Sequence, residues 1–108
     1  MMMRRACLFG AMAMAVAAFP AHAWDAARGK EISTVCSACH GVDGNSPTPD
    51  FPIIAGQHAE YLYRSLLDYK LGNRGDPIMQ GQVAELSRTD MRDLAAYFAG
   101  QDGLYLKR

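Results

Sequence analysis

The chain has 108 residues, 50% of them hydrophobic, and 11 basic against 11 acidic side chains give a formal net charge of zero. That balance leaves no basic field for a nucleic acid partner. The length suits one domain, whose own core is marginal and leans on a disulfide, a metal or a cofactor.

Met1 to Ala23 carries the three parts of an export leader. Arg4 and Arg5 form the charged start, an apolar stretch runs from about Ala6 to Phe19, and Ala21-His22-Ala23 is a small-x-small cleavage site. The apolar stretch is too short for a membrane span and stops at Pro20. The expectation is therefore a periplasmic protein, cleaved after Ala23, with a single domain over residues 24–108 and no membrane span. Cleavage discards Cys7 and takes the 11 basic residues to 9, because Arg4 and Arg5 are lost, against 11 acidic ones.

Trp24 to Cys36 reads as the first helix. Asp25 can cap it, and Gly29, Ile32 and Cys36 recur at helical spacing to make one inward face. It leads into Cys36-Ser37-Ala38-Cys39-His40. Cys-x-x-Cys-His is the attachment signal of c-type haem. Three residues of separation put both thiols on one side of a helical turn, where they can add to the two vinyl groups of a haem, while His40 offers an imidazole to its iron. Other chemistries share these residue types. A thioredoxin-like dithiol normally follows a strand, whereas helix precedes Cys36. A zinc site needs four ligands, and His58 and carboxylates are the only further candidates in the mature chain. A structural disulfide beside an unrelated histidine is the third alternative.

Gly41 to Gly56 is rich in Gly, Asp and Asn and contains Pro47, Pro49 and Pro52, so it cannot continue a helix. A loop this long in a small domain is usually functional. Ile53 and Ile54 are candidate haem wall. Pro52 is placed to present its carbonyl to the Nδ1 proton of His40, a bond that fixes a ligating histidine. Gln57 to Leu71 is the next helix, with Leu62, Leu66 and Tyr69 on one face, Tyr61 flanking it, and Gly72 as its stop.

Asn73 to Leu86 reads as a second loop. The distal side of a c-type haem is commonly closed by a methionine thioether. Of 7 methionines, Met1, Met2, Met3, Met12 and Met14 leave with the leader, so Met79 and Met91 remain. Met91 shares a helical stripe with Leu94, Ala95 and Phe98 and reads as packing. Met79, after Pro77, is the candidate sixth ligand, against an open site or His58. The last helix begins at Ser87, with Asp90 completing a capping-box pattern, and ends near Gly100. No segment alternates with the period of a strand.

The leader, Cys36-Ser37-Ala38-Cys39-His40-Gly41, Pro52-Ile53-Ile54-Ala55-Gly56-Gln57, Tyr61-Leu62, Pro77-Ile78-Met79 and Leu94-Ala95-Ala96-Tyr97-Phe98 together resemble a class I cytochrome c of the bacterial c4/c553 type. The resemblance implies an all-α fold of three main helices and long loops around one covalent haem c. It also implies that Gly29 lets the first and last helices cross near Tyr97 or Phe98, and that Pro52 supports His40. Cytochromes c4 proper resemble two such domains in tandem, whereas this chain has one motif. The implied function is an electron carrier, not an enzyme, with transient redox partners: a quinol-oxidising complex or dehydrogenase as donor, an oxidase or reductase as acceptor. A haem enzyme or ligand sensor, such as a peroxidase, needs a vacant sixth position, and Met79 speaks against it. The cytochrome subunit of a larger dehydrogenase uses the same chemistry as the carrier.

Overall fold

Asp25 caps the first helix by accepting from the Arg28 amide, and α1 runs Ala26–Ile32. The computed structural model describes residues 6–17 and 24–104. Residues 6–17 have no helix or strand and are exposed. Arg4, Arg5 and the Ala21–Ala23 cleavage site lie outside the described residues, as does the end of the tail.

The helix expected over Trp24–Cys36 is two helices. The Ser33 amide reaches back to the carbonyl of Lys30, and its Oγ donates to that same oxygen at 2.8 Å. This tightens the turn, and the β-branched run Ile32, Thr34 and Val35 gives helix continuation little support. A second helix, α2, runs Thr34–His40 and carries the whole Cys-x-x-Cys-His run. After the long loop comes α3, Ala59–Leu71, ending at Gly72.

The second loop is corrected more substantially, because Pro77–Val83 forms helix α4. Asp76 accepts from the amides of Ile78 and Met79, and Pro77 occupies the first turn, where its missing N–H costs nothing. The last helix, α5, runs Arg88–Ala99 with the full capping box between Ser87 and Asp90. The described residues are thus all-helical, with five helices in place of three main ones and no strand.

Helix α5 is the spine of the core. Met91, Leu94, Ala95 and Phe98 are buried along it, and Met91 has no exposed surface at all. Helix α1 crosses α5 at Gly29. A Cβ there would stand 2.0 Å from the Asp93 carbonyl oxygen and 2.9 Å from Tyr97 Cβ, so only hydrogen fits. Ion pairs tie the same crossing. Arg28 Nη1 donates to the buried Asp93 carboxylate at 2.8 Å, and Nη2 donates to Asp90 at 2.6 Å. The Asp25 amide gives Asp93 a further bond at 2.9 Å, so this buried carboxylate is well supplied with donors.

Two stability changes follow from this crossing. Gly29→Ala should cost about 2–3 kcal/mol in denaturant unfolding of the haem-loaded protein, because the clash is with backbone and outweighs alanine's helix propensity. Asp90 is held below the ordinary carboxylate range, first by the Ser87 amide and then by Arg28. A lowered folded-state value means stability present above the ordinary pKa near 4 and lost as pH falls through the lowered value. The stability gap between wild type and Asp90→Asn should therefore be widest near neutral pH and close progressively below about pH 4.

Candidate functional site

Helices α2, α3, α4 and α5 and the long loop converge on one apolar cleft of about 250 Å³. Helix α2 supplies Cys36 and His40, the long loop supplies Pro52, Ile53 and Ile54, and α3 supplies Tyr61, Leu62, Ser65, Leu66 and Tyr69. Helix α5 closes the wall with Leu94, Ala95 and Phe98. Met79, in the first turn of α4, lines the same cleft and is half-buried. Cys39 stands three positions after Cys36 on α2, half-buried and off the cleft wall. His58 is the exposed N-cap of α3 and does not line the cleft.

His40 is only 8% exposed and has Phe51 against it edge-on. Its Nδ1 lies 2.9 Å from the Pro52 carbonyl oxygen. A carbonyl can only accept, so Nδ1 carries the proton and the Nε2 lone pair is free for a metal. The loop holding Pro52 is pinned at several points. Gly44, at φ 87°, turns its carbonyl to accept from the amides of Ile54 and Ala55, and a Cβ there would meet the Phe98 ring at 2.8 Å. The Gly56 amide donates to the Phe98 carbonyl, and Tyr97 Oη donates to the Val42 carbonyl at 2.7 Å. Both anchors are on α5.

Cys36 and Cys39 form no disulfide. Burial pushes the Cys36 thiol up, and the neighbouring Cys39 adds to the rise. That is the reverse of a reactive dithiol, which needs a lowered thiol pKa. Among the described residues no three His, Cys, Asp or Glu side chains gather as a metal-ion cluster, so the tetrahedral zinc alternative finds no ligand set here.

Several cleft residues escaped the sequence reading. Ser65 was findable, since it follows Tyr61 by four on α3. Gln57 figures in that reading only as the end of the 52–57 stretch and the start of the next helix, and Arg74 is not singled out there. Arg74 comes to the cleft because Asn73 and Arg74 wrap back onto the Asp68 carbonyl, which brings its guanidinium over the Tyr69 ring at 4.9 Å.

An all-helical shell closed on an apolar cleft, with Cys-x-x-Cys-His on the helix beside it, is the architecture of a c-type cytochrome. The chain belongs to the cytochrome c family, whose model matches residues 26–101. It is 51% identical over 79 residues to cytochrome c4 of Pseudomonas aeruginosa, covering 73% of this chain and 39% of that protein. It is 40% identical over 83 residues to cytochrome c-554(548) of Halomonas halodenitrificans, covering 74% of this chain and 100% of that one. The crystal structure of reduced recombinant cytochrome c4 from Pseudomonas stutzeri superposes with a TM-score of 0.72 at 45% identity, covering 76% of this chain and 48% of that one. The chain thus spans less than half the length of the cytochromes c4 it matches. The family's cofactor is covalent haem c, and the residues present fit it: apolar walls, two unpaired thiols, an imidazole with a free Nε2 and a thioether.

Covalent attachment through α2 has a direct test. Haem should stay on the polypeptide through acid-acetone extraction, and Cys36→Ala combined with Cys39→Ala should yield colourless protein from cells with a working haem-attachment system. Full haem retention by the double variant would sink the assignment of these thiols.

Proposed function

We propose that this chain carries single electrons between redox proteins in the periplasm, through a haem c tethered at Cys36 and Cys39 and ligated by His40 and Met79. The observation that carries this reading is the common cleft: Cys36, His40 and Met79 all line one apolar pocket. Bound haem supplies a one-electron Fe(III)/Fe(II) couple. The Pro52 carbonyl orients the imidazole and makes it a better donor through the Nδ1 proton. Met79 is a soft sulfur donor, and the walls formed by Ile54, Leu62, Leu66 and Phe98 penalise the more highly charged oxidised site; both effects raise the potential. With His40 and Met79 both held by helices, an iron bound between them would need little rearrangement as it gained or lost charge, which suits a carrier.

Met1 to Ala23 is the export leader in this reading, cleaved after Ala23. Among the described residues no helix is long and apolar enough to cross a membrane. Donor and acceptor are a quinol-oxidising complex or dehydrogenase and an oxidase or reductase. Tyr61 is 52% exposed although it lines the cleft, and Ile53, also in the lining, is exposed too, so the mouth offers a small apolar patch for transient docking.

Two methionine variants separate carrier from enzyme. Ferric wild type should be low-spin with the weak long-wavelength sulfur-to-iron charge-transfer band, and Met79→Ala should lose that band, bind carbon monoxide when reduced and drop in potential. Met91→Ala should keep the spectrum and lose about 2–5 kcal/mol of stability, since Met91 is fully buried outside the cleft. High-spin wild type that binds carbon monoxide readily would move the assignment to a haem enzyme or sensor.

A further inference from the structure

Helix α4, which presents Met79, is intrinsically weak and depends on what holds its two ends. It has seven residues, too few for a stable isolated helix, and Gly81 in its middle weakens it further. Its start is fixed by Asp76, and near its end Val83 is buried. The exit beyond Val83 is held from another element. Lys70, in the last turn of α3, reaches across and donates from Nζ to the carbonyls of Ala84, at 3.0 Å, and of Leu86. These are backbone acceptors just past a helix C-terminus, where carbonyls lack intrahelical partners and a cation is favoured.

We propose that Lys70 is the latch of the sixth coordination position: its ammonium fastens α4 to α3 and so sets how often Met79 swings away to admit an outside ligand. This rests on the assignment of Met79 as ligand. Lys70 is not itself part of the cleft lining, so it is a positioning residue that acts through the α4 exit. Nothing in its side chain's surroundings requires it for the core, since it is exposed. The consequence is functional. A firm latch keeps the protein a carrier, and a loose one opens it to small ligands.

The test uses the haem-loaded ferric protein and imidazole as the probe, following loss of the sulfur-to-iron charge-transfer band at saturating imidazole, where opening limits the rate. Because this ammonium is exposed and screened by solvent, its two hydrogen bonds together correspond to roughly a tenfold change, so Lys70→Met should bind imidazole about tenfold faster. Lys70→Arg, which keeps charge and donors, should return most of the way to wild type. Lys30→Met, which removes a charge from exposed α1 surface, should match wild type. Far-ultraviolet unfolding midpoints should shift much less than the imidazole rate. Should Lys70→Met not fold, Lys70→Gln is read in the same way. Equal imidazole rates in wild type and Lys70→Met would overturn the latch, as would an acceleration wholly accounted for by a fall in the global unfolding midpoint. A wild type without the charge-transfer band would instead remove the Met79 assignment, and the latch with it.

Discussion

The contact on which the rest of the fold depends is the approach of α1 to the backbone of α5, where Gly29 faces the Asp93 carbonyl with no room for a side chain. Helix α1 therefore sits at a depth set by main chain. Arg28 then fixes its rotation by bridging Asp90 and Asp93. With α5 held in this way, its other face becomes a ruler for the site. Leu94, Ala95 and Phe98 form wall, Tyr97 holds the turn after His40 through Val42, and the Phe98 carbonyl holds Gly56 at the end of the proline loop. The Pro52 carbonyl is where His40 needs it because both flanks of its loop are tied to α5.

How much of this was legible in the sequence depends on the range of the forces involved. The Ser87–Asp90 capping box is a contact within one turn and was readable from residue spacing. The Cys36-to-His40 run is likewise a local pattern, readable from its spacing, and all of it lies on α2. Asp76-Pro77 was also a local signal, but a seven-residue helix with Gly75 before it and Gly81 within it lacks the sustained apolar period that marks longer helices, and the segment read as loop. The break at Ser33 was hidden for the opposite reason, since Gly29, Ile32 and Cys36 keep helical spacing across it. Arg74 reaches the cleft through the turn that closes α3 after Gly72, whereas Lys70 at the α4 exit comes from the packing of separate elements, which no local pattern records.

The polar groups of the molecule are divided by task. Charges are concentrated at the α1–α5 crossing and on outer faces, while the cleft is lined mainly by carbon, with Ser65, Gln57 and Arg74 among its few polar side chains. A redox centre in such surroundings has its potential shifted by burial, and among the described residues Arg74 is the one Lys, Arg, Asp or Glu side chain in the cleft lining.

The separation of α2 from α1 bears on the order of assembly. Seven residues do not make a helix in an unfolded chain, so before folding Cys36 and Cys39 lie on open, solvated backbone. Folding carries Cys36 into the cleft, where burial holds its thiol protonated and less nucleophilic. Any bond to that sulfur would therefore form most readily on the extended polypeptide, before the helices close around it.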